Sequence, residues 1–368
     1  MELSDFGGRE ASALVAPGLE DLLLAELGRL GIEGRKEVGG VLFRADWGRI
    51  HALHDRSRLA NRLVLRLGRV GAGSLEELYQ GVRLLPWKPF VHPRQAVEVE
   101  VTTLRAKLRR KEAVSDKVGL AITDALRGPR LEGPRPPKTP LIVRVHVEDS
   151  RATVSVDLSG DPLHRRGWRP MTAKAPMREA LAAAVLDAAG WVPGVPLVDP
   201  MCGAGTFAIE AARYAAGMSP RLARTYAADT MPGTPKGRGG PAAVAPVPTL
   251  VSASDRDVGA IRATTENAKR GGVDARIRVR QVAFEELDPP ASGGLLVCNP
   301  PWGHRIGGDR TPWKRWADRL GEAWGGWRIA FVVPAELSAA RLGWEGETRL
   351  RFESGGVPLR LEVGEIPS

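Results

Sequence analysis

The sequence predicts an α/β chain of more than one domain, with a doubly wound sheet closed by a β-hairpin in its C-terminal half and a smaller α+β region before it. Three observations carry this expectation. From residue 176 onward, apolar runs of helix length and of strand length alternate, the order that builds a mostly parallel sheet with helices on its faces. The stretch Leu197 to Phe207 reads as an apolar approach, an Asp, two glycines and then a helical run, which describes a strand, a tight turn and a helix N-terminus. A second apolar strand, Leu295 to Cys298, runs into Asn299-Pro300-Pro301-Trp302; two prolines continue neither a strand nor a helix, so 299–302 form a stiff extended corner.

Composition sets the frame for these elements. The chain has 368 residues, enough for two or three domains that each bury a core, and its 43% hydrophobic content is ordinary for a globular protein. It has no uninterrupted apolar run of transmembrane length, and its first residues are acidic and polar, unlike a signal peptide, so a cytoplasmic location is expected. Cys202 and Cys298 lack the companions of a zinc cluster and read as reduced, small, buried side chains; no metal is expected. The formal net charge is +10, and residues 1–175 hold 30 Lys and Arg against 22 Asp and Glu. An excess concentrated in that half favours a polyanionic partner, nucleic acid above all.

Taken in order, the chain opens with a short apolar segment, Ala13 to Val15. Pro17-Gly18 then leads into a helix from Leu19 to Leu30 with Leu19, Leu22, Leu23, Leu27 and Leu30 on one face. Strands follow at Val41 to Arg44 and Arg62 to Val70, separated by a helix-like run through Ile50, Leu53 and His54. His51 and His54 have helical spacing but no nearby metal-binding companions, and are expected on the surface. Residues 1–70 thus form a first α+β unit and 71–160 a second. In the second, Val97 to Val101 alternates as a half-exposed strand, and a helix runs through Val114, Val118, Ile122 and Leu126 to Gly128-Pro129. Leu141 to Val147 and Ala152 to Leu158 form a hairpin turning at Glu148-Asp149-Ser150. Arg105, Lys107, Arg109, Arg110 and Lys111 put five cations within seven residues, either a track for phosphates or a solvated loop. A linker, 161–175, carries Arg165, Arg166 and Arg169 around Trp168; arginine forks suit phosphates, while Trp168 suits packing.

The third unit, 176–368, begins with a helix from Met177 to Ala189, followed by the glycine-turn strand and a helix after Thr206. A Pro-, Gly- and Ala-rich insertion fills 217–247. Then come a strand at Thr249 to Ser254, a helix at Val258 to Arg270, a strand at Arg276 to Val282 and the strand ending at Asn299. A helix through Trp313, Trp316 and Leu320, a strand Ile329 to Val333 and two last strands near Glu347 to Phe352 and Leu359 to Val363 complete the sheet and its hairpin.

The two motifs suggest their chemistry. Gly203 and Gly205 let backbone approach a ligand where a Cβ would collide, and Asp199 at the strand end accepts from a polar or cationic part of it. Gly203, Gly205 and Ala208 also satisfy the dinucleotide pattern G-x-G-x-x-G/A, but the insertion stretches the distance to the next acidic strand end, Asp255, far past the spacing of roughly 20 residues typical of that fold. Asp255 is the acceptor for both ribose hydroxyls, or a helix N-cap, and the two roles coexist. At the other corner, the Asn299 amide oxygen and the Pro300 carbonyl each accept one hydrogen of a planar amine, with Trp302 as a stacking face.

These residues carry a family resemblance. Asp199-Pro-Met-Cys-Gly-Ala-Gly-Thr206 and Asn299-Pro-Pro-Trp302 resemble the cofactor and catalytic motifs of class I S-adenosylmethionine-dependent methyltransferases that modify exocyclic amines. Asp161-Pro-Leu-His-Arg-Arg-Gly-Trp-Arg169, with Ala175-Pro-Met-Arg-Glu-Ala-Leu-Ala-Ala183, is similar to the junction between a THUMP RNA-binding domain and a catalytic domain. The resemblance implies a Rossmann-like methyltransferase domain preceded by a ferredoxin-like and THUMP region, acting on guanine N2 in RNA, with 23S ribosomal RNA favoured and transfer RNA second. It implies S-adenosylmethionine held by Asp199, Pro200, Met201, Gly203, Gly205, Thr206, Asp255, Ala283, Phe284 and Asn299. It implies catalysis at Asn299, Pro300, Pro301 and Trp302, and RNA contacts at Arg105 to Lys111, Arg165, Arg166, Arg169 and Arg305. Two departures stand out. Val282-Ala283-Phe284 replaces an Asp that holds the adenine amine in many relatives, and Trp302 stands where they more often carry Tyr. The rivals are methylation of protein glutamine or DNA adenine, a noncatalytic RNA assembly factor, and an NAD enzyme.

Overall fold

The computed structural model describes residues 8–92, 94–127, 137–170, 177–235, 244–301, 311–337, 344 and 346–367, with 311–313 described by backbone alone. Two seven-stranded sheets organise them.

The first sheet comprises β1 (Glu10–Leu14), β2 (Gly34–Glu37), β3 (Gly40–Arg44), β4 (Arg62–Gly71), β5 (Val97–Leu104), β6 (Leu141–Glu148) and β7 (Arg151–Asp157). Its order is β2-β3-β1-β4-β7-β6-β5, antiparallel except for the β5–β6 pair. The strand boundary expected at residue 70 falls at the end of β4, which pairs with β1 on one side and β7 on the other, so the two expected N-terminal units share one sheet. Leu141, Val143, Val145 and Val147 of β6 alternate inward as strand geometry requires. On the outer face, Arg144 meets Glu100 across the register at 2.8 Å.

Helices α1 (Glu20–Arg29), α2 (Trp47–Arg56), α3 (Leu75–Arg83) and α4 (Lys111–Ala125) belong to the same half. Asp46 caps α2 by accepting from the Arg49 N–H at 2.8 Å, and Ser74 caps α3 by accepting from the Glu77 N–H at 3.1 Å. Strand β2 and helix α3 are absent from the sequence reading. Gly34-Arg-Lys-Glu37 is an edge strand with no apolar alternation, whereas α3 carried a signal, the Ser74 cap and the buried Leu78 and Val82 one turn apart.

The second sheet comprises β8 (Leu197–Asp199), β9 (Val251–Asp255), β10 (Ile277–Gln281), β11 (Leu295–Cys298), β12 (Arg328–Pro334), β13 (Gly346–Ser354) and β14 (Val357–Glu365), with α5 (Glu179–Ala188), α6 (Thr206–Ala215), α7 (Val258–Arg270) and α8 (Thr311–Ala323) around it. Its order is β10-β9-β8-β11-β12-β14-β13, parallel from β10 to β12 and antiparallel through the closing hairpin. The chain winds outward from β8 through β9 to β10, then returns to β11 on the other side of β8. That reversal opens a crevice at the C-terminal ends of β8 and β11, where ligands bind in such sheets.

The two halves are joined by buried charge. Arg166 is 1% exposed; its Nε donates to Glu210 Oε1 of α6 at 3.1 Å and its Nη1 to the Leu163 carbonyl at 2.8 Å. Arg221, from the insertion after α6, reaches across to the C-terminus of α2 and donates to the carbonyls of Leu53 at 3.2 Å, His54 at 2.6 Å and Ser57 at 2.9 Å. A guanidinium at a helix C-terminus satisfies carbonyls that have no partner within the helix and sits favourably in the helix dipole. Burial and the nearby Arg166 push Arg221 down to about 10, still charged at neutral pH. The expected surface position of His54 is therefore corrected. It is fully buried beneath this contact, stacked on Tyr226 with ring centroids 4.1 Å apart. Among the described residues no helix is long and apolar enough to cross a membrane.

Candidate active site

The glycine turn after β8 is held from three sides. Gly203 and Gly205 both have positive φ, 53° and 78°, which an L side chain rarely adopts. A Cβ on Gly205 would also lie 2.8 Å from Thr264 Cγ2. Thr264 Oγ1 donates to the Gly203 carbonyl at 3.0 Å, and Asn267 Nδ2 to the Ala204 carbonyl at 3.0 Å. Both side chains project from α7 and are fully buried. Neither is among the site residues expected from sequence, yet two polar residues at i and i+3 on the buried face of α7 are a visible signal. From the neighbouring strand end, Asp255 Oδ2 accepts from the Gly203 N–H at 3.0 Å and Oδ1 from the Asp257 N–H at 3.0 Å. Each oxygen keeps acceptor capacity for further donors. The N-cap of α7 is Asp257, accepting from Gly259.

Asp199 ends β8 at 1% exposure. Burial raises its carboxyl well above the ordinary value, against the Met201 N–H that bonds it at 3.4 Å and with further help from the Asp255 charge. It forms no ion pair among the described residues. A buried carboxylate without a cation is stabilised by a cationic ligand. Pro200 is buried and Met201 half-buried in the same turn. Thr206 opens α6 with its hydroxyl already taken, accepting from Arg169 Nη1 at 3.2 Å.

Beside this turn, the pairing Leu295↔Leu197 and Leu296↔Val198 brings the end of β11 level with Asp199 and carries Asn299 just beyond it. The thiols of Cys202 and Cys298 are free and buried, and burial pushes both up, with Asp199 as the next cause for each. The parallel pairing of β11 with β8 places the two motifs at one crevice. At its rim, Asn299 Oδ1 is buried with no hydrogen-bond partner among the described residues. A buried amide oxygen without a partner costs about 1 to 3 kcal/mol, which a ligand N–H recovers. Pro300 is buried and Pro301 half-buried behind it. Trp302 and Arg305 lie outside the described residues.

Three sequence expectations change. Phe284 does not present its ring to a ligand: it is 2% exposed and packs against Trp324, centroids 6.2 Å apart, in the core under α8. Half-buried Ala283 and the backbone, tied in by the Val282 N–H to the Asp255 carbonyl at 3.1 Å, are what remain on that side. Arg166 is buried and committed to Glu210, so it faces no phosphate. Arg169 is committed as well, donating to the Met177 carbonyl at 2.6 Å and pairing with Glu179 at 3.3 Å. Lys107, Arg109, Arg110 and Lys111 are exposed between β5 and α4; Arg105, also exposed, pairs with Glu148 at 2.8 Å. Arg165 is exposed, and Trp168 is fully buried, as packing required.

Residues 166–322 match the family model described as RMKL-like, methyltransferase domain, and residues 10–64 match the RlmL ferredoxin-like domain. A Synechocystis sp. protein named "Putative RNA methyltransferase slr0064" is 30% identical over 96% of this chain and 96% of its own length. The chain belongs to the RMKL-like methyltransferase family. The ribosomal RNA large subunit methyltransferase K/L of Syntrophotalea carbinolica is 32% identical over 95% of this chain and 52% of its own length, so the chain spans about half of such K/L relatives. The crystal structure of SMU.472 with SAH superposes with a TM-score of 0.87 at 24% identity, covering 98% of each chain, which shows the shared fold. TrmN from Thermus thermophilus gives 0.71 at 26% identity, covering 97% of this chain and 99% of its own.

The RMKL-like chain is thus an S-adenosylmethionine-dependent methyltransferase, and its residues fit that cofactor. Asp199 is a buried acceptor with no ion pair among the described residues, Asp255 has spare acceptor capacity beside the turn, and the missing Cβ of Gly205 makes room for Thr264, which holds the turn in shape.

Proposed function

We propose that this protein methylates the exocyclic N2 amine of a guanine in structured RNA, with large-subunit ribosomal RNA as the substrate and transfer RNA as the second choice. The observation that carries the reading is the buried Asn299 Oδ1, which has no hydrogen-bond partner among the described residues, at the crevice shared with Asp199. An acceptor there suits an incoming N–H donor. The names of the K/L relatives support ribosomal RNA, and the exposed cations from Lys107 to Lys111 support a phosphate backbone.

In this reading Asp199 and Asp255 hold the polar ends of S-adenosylmethionine, with Pro200, Met201, Gly203, Gly205, Thr206 and Ala283 lining its bed. The bound cofactor supplies an electrophilic methyl group. Asn299 Oδ1 and the Pro300 carbonyl accept the two amine hydrogens and aim the nitrogen's lone pair. Pro301 stiffens the corner and Trp302 stacks on the base, which has left its own stack. No strong base would be needed: the sulfur would leave as a neutral thioether, the proton of the methylated, positively charged amine would pass to water, and the work lies in aligning the amine within the site. Residues 1–160 grip the RNA, the 161–175 linker joins, and 176–368 perform the transfer.

Mass spectrometry of nucleosides from a strain lacking the protein tests this reading. Loss of N2-methylguanosine from large-subunit ribosomal RNA supports it. An unchanged ribosomal RNA profile with loss in transfer RNA moves the substrate to the second choice.

A further inference from the structure

The turn 161–165 between the two sheets is clamped beyond what a connection needs. Arg224, from the insertion after α6, donates to the carbonyls of Asp161 at 3.0 Å, Pro162 at 3.3 Å and Arg165 at 3.2 Å. Arg166 takes the Leu163 carbonyl, the Leu163 N–H donates to the Asn61 carbonyl just before β4 at 2.8 Å, and the Arg165 N–H closes the turn onto the Pro162 carbonyl at 3.1 Å. His164 and Arg165 thus sit on a backbone held rigid between the two sheets.

That place is electropositive and incomplete. His164 Nδ1 is buried with no hydrogen-bond partner among the described residues. Burial, then the charges of Arg178, Arg166, Arg165 and Arg62, push the imidazole down to about 4, so a neutral ring sits in the positive field of the linker, the first sheet and the entry to α5. Arg166 is neutralised by Glu210 and Arg62 by Asp157 at 2.7 Å. Arg165 and Arg178 are exposed and form no ion pair among the described residues. The site also adjoins the cofactor turn. Arg169 spans from the Met177 carbonyl, next to Arg178, to Thr206, the residue after Gly205.

We infer that His164, Arg165 and Arg178 form a pre-organised phosphodiester site at the junction of the two sheets, anchoring the RNA backbone beside the nucleotide that enters the crevice. Two cations with no ion pair among the described residues supply charge and bidentate donors, and the imidazole supplies one further donor. An anion bound there offsets the surrounding positive charge and raises the affinity of His164 for a proton, so binding strengthens as pH falls. The inference rests on RNA being the substrate.

The test uses the full chain with a fluorescein-labelled RNA hairpin, and S-adenosylhomocysteine as the control ligand. The Arg165→Gln/Arg178→Gln double variant should bind the hairpin at least tenfold more weakly, with the slope of log affinity against log salt reduced by about two, since each phosphate contact contributes about 0.9. S-adenosylhomocysteine affinity should stay within twofold. In the wild-type protein, the NMR titration midpoint of His164 should rise by at least one pH unit when the hairpin is bound. Unchanged hairpin affinity and slope, or a loss confined to S-adenosylhomocysteine, would overturn the inference. A wild-type chain that binds no RNA would overturn the substrate reading and this site with it.

Discussion

Gly203 donates its N–H to Asp255 Oδ2 at 3.0 Å, so the acid at the end of β9 fixes the turn that follows β8. One carboxylate both shapes the cofactor bed and offers acceptors to its ligand. Asp255→Ala should therefore weaken S-adenosylmethionine binding by about 2 kcal/mol, the scale of a lost charge-assisted hydrogen bond, and lower the melting temperature of the apo protein. Calorimetry and thermal denaturation check both. A change in affinity with no change in melting would separate the two roles.

Asp199 should trade stability for binding. Its folded pKa lies above its unfolded one, so between the two values the folded chain holds a proton that the unfolded chain has released, and stability falls as pH rises across that window. Asp199→Asn removes the buried charge and keeps an acceptor for the Met201 N–H. The variant should be more stable than the wild type at neutral pH by about 1 kcal/mol, lose this pH dependence, and bind S-adenosylmethionine poorly. Denaturation at several pH values, with and without ligand, reads all three.

Arg221 should be a costly link between the two halves to cut. Arg221→Ala takes the guanidinium donors from the buried Ser57 carbonyl, leaves the His54 carbonyl to Tyr226 and the Leu53 carbonyl to the Ser57 N–H, and removes the charge that closes α2. A loss of about 3 kcal/mol is expected by chemical denaturation, comparable to breaking a buried ionic contact.

The exposed cations between β5 and α4 should contribute affinity without selectivity. Replacing Lys107, Arg109, Arg110 and Lys111 together with Gln should weaken RNA binding similarly for different hairpins and flatten its salt dependence. Thermal stability should change little, because these side chains are exposed. Filter binding over a salt series provides the measurement.

Much of this molecule is legible in its sequence because the governing signals are local. Helix α7 spans Val258–Arg270 as its periodicity predicts, and the strand ending at Asn299 stops at Cys298 because Pro300 and Pro301 cannot continue it. What local pattern cannot give is the partner of a charged side chain. Arg166 and Arg169 look like phosphate ligands in a linker, but Glu210 and Glu179 on two later helices claim them. His54 looks like a surface residue until Arg221 and Tyr226, more than 160 positions away, close over it. Phe284 looks like an adenine contact beside the cofactor acids, and the tryptophans of the α8 side decide otherwise. The continuous first sheet is hidden for the same reason, since β4 and β7 meet across some 80 residues.

Asn299 decides the proposed transfer: its side-chain oxygen lies buried, with no hydrogen-bond partner among the described residues, just past the strand that pairs with β8. Transfer of a labelled methyl group from S-adenosylmethionine to RNA by Asn299→Ala, with cofactor binding followed in parallel by calorimetry, tests it most directly. We predict that transfer falls by about a hundredfold or more while the cofactor still binds. Transfer at the wild-type rate would contradict it.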